Sequence, residues 1–144
     1  MPKMKQLTTE FKLFSYVHSN TVDASPKLIK IQYYPSPEIE ANLKTLHENV
    51  TIPILKHFTN CILYINSGYR CKELNEIIGG ASKSDHIIGI AQDLELRRNG
   101  KDVNIELFEF CKTLEFTQLI NENRLAWVHI SYNPNNLKKQ ILVL

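Results

Sequence analysis

The stretch Ser84-Asp-His86-Ile-Ile-Gly89-Ile-Ala91-Gln-Asp93 constrains this chain more than any other. It reads S-x-H-x-x-G-x-A-x-D, and it has a complement far downstream in Trp127-Val-His129-Ile-Ser131. Two imidazoles and a carboxylate make a three-ligand set for a divalent first-row metal. Such a set leaves one coordination position open, which marks catalytic rather than structural sites. For His86, Asp93 and His129 to meet, the two segments must lie side by side, and strand alternation supplies the means. On a strand spanning 86–96, Ala91, Asp93 and Glu95 share one face; on a second spanning 126–132, Trp127, His129 and Ser131 do the same. Paired antiparallel, these strands project Asp93 and His129 together, while Val128 and Ile130 point into a helix layer. Gly89 permits a bend that returns the His86 imidazole towards Asp93, and small Ala91 leaves room beside the strand. Taken singly, each residue is more often a packing or surface group, and Asp93 alone reads as a partner for Arg97. The joint pattern carries the specificity.

The rest of the chain fits one domain over 1–144, with an irregular N-terminal wrap expected over 1–35 and the core over 36–144. In the wrap, 28–34 is read as a short extended piece. Ser36-Pro37, followed by Glu38 and Glu40, is a helix start. Ile39, Leu43, Leu46, Val50 and Ile54 recur at helical spacing, so one long helix is expected over 37–58, disturbed by Pro53. A strand over 61–65 follows, then a helix over 69–78 stopped by Gly79-Gly80, a loop over 81–85, and a turn over 97–101. The spacing predicts a third helix over 103–114 and strands over 116–121, 126–132 and 139–143. These elements describe an α+β domain, a central antiparallel sheet with helices packed on one face. His18, His47 and His57 fall outside the motif, and the last two are expected on the surface of the long helix.

Composition narrows the classes. The formal net charge of +2 argues against a nucleic-acid partner, and Lys138-Lys139 is the one basic run that stands out. No apolar run reaches the length of a membrane span, so no membrane association is expected. Residues 1–10 are polar, and no signal peptide is expected. Cys61, Cys71 and Cys111 are odd in number and form no C-x-x-C pair, which points to reduced, mostly buried thiols rather than a disulfide framework. A monomer is the expected state.

The motif does not stand alone. Ser67-Gly68-Tyr69-Arg70, Leu74-Asn75 and Gly79-Gly80 precede it, and Phe116-Thr-Gln-Leu-Ile120 and Trp127-Val-His-Ile-Ser-Tyr132 follow. Together, over about 37–132, they resemble the zinc D-Ala-D-Ala carboxypeptidase and dipeptidase family, whose fold is shared with the hedgehog signalling domain. The closing segments are similar to those of small phage-type members. The resemblance implies one zinc ion held by His86, Asp93 and His129, and hydrolysis of a peptide bond in the peptidoglycan stem peptide by zinc-activated water. It implies that Arg70 and Ser84 line the substrate site. Arg70 offers a permanently charged fork for an oxyanion or carboxylate, against a surface ion pair with Glu73 or Glu76. Ser84 either bonds substrate or caps a backbone turn. Trp127 is read as a wall of the cleft, and Tyr69 as a wall or a stacking surface.

Two departures stand out. The family's usual acid lies three positions before the last histidine, where this chain has Ala126, and Thr117 occupies a frequent aspartate position. Glu122 follows Q-L-I as in small phage-type members, and it is the candidate general base. Both D-Ala-D-Ala carboxypeptidase and L-Ala-D-Glu-type endolysin activities are open. An alternative is a catalytically weak or inactive zinc-containing module that binds peptidoglycan or serves in a virion. Action on the wall is expected after phage-type release or from a virion.

Overall fold

Ser36 caps a helix by accepting a hydrogen bond from the Ile39 amide (3.3 Å), with Pro37 in the first turn, where its missing N–H costs nothing. From this start the chain stays helical to residue 57: α4 (Pro37–Leu46), a π-helical turn (His47–Thr51) and α5 (Ile52–His57). Pro53 explains the widened turn. It has no N–H to donate, and its ring crowds the carbonyl one turn back, so the ladder opens just before it. Leu43, Leu46, Val50 and Ile54 are fully buried along one side, as their spacing predicts. The structure, a computed structural model, describes residues 5–144. The first ten residues, read for a leader, lie partly outside that range.

The N-terminal segment corrects the expectation of an irregular wrap. It contains a short strand β1 (Lys5–Gln6) and three short helices, α1 (Leu13–Val17), α2 (Asn20–Asp23) and α3 (Pro26–Gln32). Residues 28–34 are therefore mostly helical, not extended. Pro26 begins α3, and Leu28 and Gln32, one turn apart, are its buried side.

Past α5 come β2 (Ile62–Ser67), α6 (Lys72–Ile77), β3 (Ala91–Arg98), β4 (Lys101–Asp102), α7 (Asn104–Cys111), β5 (Gln118–Glu122), β6 (Trp127–Ser131) and β7 (Gln140–Val143). The strands form one sheet in the order β1-β2-β3-β6-β5-β7, with β4 beside β3. Every pairing is antiparallel except β5 with β7, where the chain loops round and adds its last strand parallel. Leu94, Leu96, Leu119, Val128 and Ile130 are fully or almost fully buried on one face, with Leu107 and Cys111 of α7 in the same core. The opposite face is left for the site. This is the expected α+β architecture, and it agrees with the hedgehog/DD-peptidase fold.

His47 is a second correction. It is buried, not on the surface, because Tyr16 Oη lies 2.7 Å from its Nδ1 and the Thr9 carbonyl 2.9 Å from its Nε2. With both ring nitrogens and the Tyr16 hydroxyl partnered, burial leaves none of them unsatisfied. His57 is exposed as expected, its ring stacked on Phe110 with centroids 4.1 Å apart.

Candidate active site

Register brings the downstream histidine to the motif. Asp93 on β3 is directly opposite His129 on β6, and Ala91 is opposite Ser131. The alternation of strand side chains then puts Asp93 and His129 on the face away from Val128 and Ile130. His86 is not on this strand. It sits in a 3-10 turn (Asp85–Ile88), which corrects the expected strand over 86–96. Gly89 ends the turn in the left-handed region (φ 76°) and redirects the chain into β3. The bend foreseen at this glycine is present, and a Cβ there would meet Ile39 Cγ2 at 2.9 Å.

The three side chains converge. One ligand atom from each of His86, Asp93 and His129 lies within 4.8 Å of the others. Asp93 Oδ1 is 2.9 Å from His129 Nδ1 and 3.3 Å from His86 Nε2, and both histidines are buried. Burial alone would raise the Asp93 pKa, but the two imidazoles more than offset it and hold the carboxyl well below its usual range.

The tautomer of His86 follows from its other nitrogen. Nδ1 lies 2.6 Å from the carbonyl oxygen of Gly68, which can only accept, so Nδ1 carries the proton. His86 therefore turns its other nitrogen, Nε2, towards the Asp93 carboxylate, and that is the nitrogen free to bind a metal. The backbone carbonyl is the kind of partner that fixes metal-ligating histidines. The donor set thus fits a metal ion, and the cluster is a candidate metal centre.

A cleft of about 740 Å³ opens over the cluster. Arg70, Ser84, Glu122 and Trp127 line it, in addition to His86, Asp93 and His129. Glu122 and Trp127 are opposite each other at the β5–β6 hairpin, two pairs along from Ile120 and His129, so all four share the site face. The hairpin itself passes through three consecutive left-handed residues, Asn123, Arg124 and Leu125. Buried Asn104 holds it by donating to the carbonyls of Leu125 (2.9 Å) and Ala126 (3.2 Å). Ala126 is exposed on the hairpin.

The guanidinium of Arg70 turns to the cleft, with Nη2 3.4 Å from Ser84 Oγ, rather than out to Glu73 or Glu76. Burial pulls its pKa below the ordinary value, opposed by the charge of Asp93. Its Nε is buried without a partner. Ser84 does both things considered for it: its Oγ caps the 3-10 turn by accepting from the His86 amide (3.2 Å), and it faces the cleft. Tyr69 does not line the main cleft. It is largely buried and borders a smaller cavity of about 240 Å³ on the other side of Arg70. The sequence reading missed the far rim, formed by Asn133, Asn136 and Lys138. Thr117, noted only as a departure, secures that rim by donating to the Asn136 carbonyl and accepting from the Asn133 amide, each at 2.8 Å. The turn-forming run Asn133-Pro-Asn-Asn136 was the available signal.

An α+β sheet bearing a buried His–Asp–His cluster on its open face, under a polar cleft, defines a metallohydrolase-type site. The peptidase M15 family profile matches residues 8–131, and the chain belongs to that family. The match extends through the N-terminal helices, beyond the 37–132 legible by resemblance. No individual curated protein matches the chain significantly.

Proposed function

We propose that the chain is a zinc peptidase that hydrolyses a peptide bond in the stem or cross-link of peptidoglycan. One observation carries this reading: His86, Asp93 and His129 converge within 4.8 Å, with the proton of His86 held on the nitrogen facing away. In this reading His86, Asp93 and His129 would hold one zinc ion. When bound, zinc supplies Lewis acidity and lowers the pKa of water to about 7.

The chain's own groups do the rest. Glu122 accepts the proton of the attacking water and returns it to the leaving amine, as general acid–base catalysis requires. Its position on the site face beside Trp127 supports this role, and exposed Ala126 cannot move a proton. Arg70 presents a desolvated, permanently charged fork to the oxyanion or to a substrate carboxylate. Ser84 keeps that fork in place and offers its hydroxyl to substrate. Trp127 walls the cleft and excludes water. The peptide of the wall is a partner by this reading, while no membrane partner is proposed; among the described residues no helix is long and apolar enough to cross a membrane.

The test is purified protein offered peptidoglycan with and without a chelator. Chelator-sensitive release of new amino groups supports a peptidase, and mass analysis of the muropeptides identifies the bond. Retention on the wall without release in either arm replaces the enzyme with a binding module.

A further inference from the structure

Gln32, at the end of α3, has no exposed surface and makes three short hydrogen bonds. Its Nε2 donates to the carbonyls of Val17 and Tyr69, both at 2.7 Å, and its Oε1 accepts from the Cys71 amide, also at 2.7 Å. Two of these three partners flank Arg70. The loop that joins β2 to α6 has no ladder to satisfy its backbone, yet each buried polar group there must find a partner. The Gly68 carbonyl takes the His86 Nδ1 proton, the Tyr69 amide donates to Tyr16 (2.8 Å), and the Arg70 amide donates to the His86 carbonyl (3.0 Å). Gln32 takes two more, the Tyr69 carbonyl and the Cys71 amide, on either side of the arginine.

We propose that Gln32 is a positioning residue, which sets where Arg70 enters the cleft and where the Gly68 carbonyl meets His86. The chemistry of the side chain is specific to this task. A carboxamide of this length offers two donors and an acceptor at once; a carboxylate donates nothing, a thioether bonds weakly at best, and asparagine is one methylene short. Removing Gln32 leaves the Tyr69 carbonyl and the Cys71 amide buried and unpaired, so the loop shifts to find water. A shift of about 1 Å at a positioning group costs on the order of a hundredfold in rate. The N-terminal helices thereby belong to the site rather than merely covering it. The role of Arg70 rests on the function proposed above; the link through Gly68 to His86 needs only that the cluster binds a metal.

The experiment compares full-length wild type, Gln32→Met, and Phe58→Leu, a core change packed against Phe110 of α7 that controls for lost stability. Zinc affinity is measured by chelator competition, and kcat and KM on peptidoglycan fragments, at a temperature where all three are folded. Gln32→Met is expected to lose about 10–100-fold in zinc affinity and in kcat/KM, with KM raised, while Phe58→Leu keeps both near wild type. Equal zinc affinity and equal kcat/KM in Gln32→Met and Phe58→Leu overturn the proposal. Should Gln32→Met not fold, Gln32→Glu decides. It keeps the shape and the bond from Cys71, and wild-type zinc affinity and kcat/KM in that variant overturn the proposal equally. A wild-type protein that binds zinc but releases no amino groups refutes the peptidase reading and leaves the zinc arm of this test intact.

Discussion

The His86 Nδ1 lies 2.6 Å from the carbonyl oxygen of Gly68, eighteen residues earlier, and this contact decides which ring nitrogen faces Asp93. Gly68 is needed there for a steric reason as well: a Cβ would sit 2.5 Å from the Tyr16 carbonyl oxygen. Gly68→Ala must push α1 and the loop apart. We expect a loss of about 1–3 kcal/mol in stability, by the usual cost of overpacking, and roughly tenfold weaker zinc binding. Thermal denaturation and chelator competition check the two effects separately.

Asp93→Asn keeps the shape of the side chain and removes its charge. The metal site then lacks its one anionic ligand, and zinc affinity should fall by more than the roughly 10–100-fold seen for outer-sphere partners. The purified variant should carry well under one equivalent of zinc by atomic absorption. Stoichiometric zinc in Asp93→Asn would remove the carboxylate from the ligand set.

Glu122→Gln should slow turnover by about a hundred- to ten-thousand-fold, the usual worth of a general base. Zinc content should stay at the wild-type level, because Glu122 is on the hairpin beyond the cluster. Unchanged turnover in this variant would assign the proton transfer elsewhere.

A zinc ion that binds the folded chain and not the unfolded one adds to thermal stability. At a free zinc concentration a hundred times Kd the gain is about 2.7 kcal/mol. Stripping the metal should lower Tm in wild type and leave it unmoved in His129→Ala. Equal shifts in both proteins would show that the chelator acts at some other site.

Cysteine reactivity tests the packing independently of the metal. All three cysteines are free; Cys71 and Cys111 are buried, Cys61 only partly so. Burial pushes the thiol pKa of Cys111 and Cys71 up, so neither offers thiolate near pH 8. An aromatic disulfide reagent should titrate one thiol, Cys61, in the native protein and all three after denaturation. Rapid reaction of Cys111 would contradict the packing of α7 against the sheet.

The parts of the fold legible in the sequence were those written in local periodicity. Ser36 and Pro37 announced the long helix, and the buried stripe from Leu43 to Ile54 follows its spacing. Alternation along β3 and β6 puts Asp93 and His129 on one face, as the register confirms. The N-terminal helices were not legible, since helices of a few residues have too few turns to display a period. His86 was misread as part of a strand because Ile87, Ile88 and Ile90 mimic strand composition, while Ser84 and Gly89 close a 3-10 turn instead.

By itself, then, the amino-acid order determined the motif around His86 and Asp93, the faces of the two strands and the start of the main helix, since each depends on residues near in the chain. Tertiary structure alone decided that Gly68 orients His86, that Gln32 clamps the loop around Arg70, and that His47 is buried against Tyr16. The physical reason is that a buried polar group must be satisfied by whatever packing brings to it, and those partners lie fifteen to thirty-nine residues away.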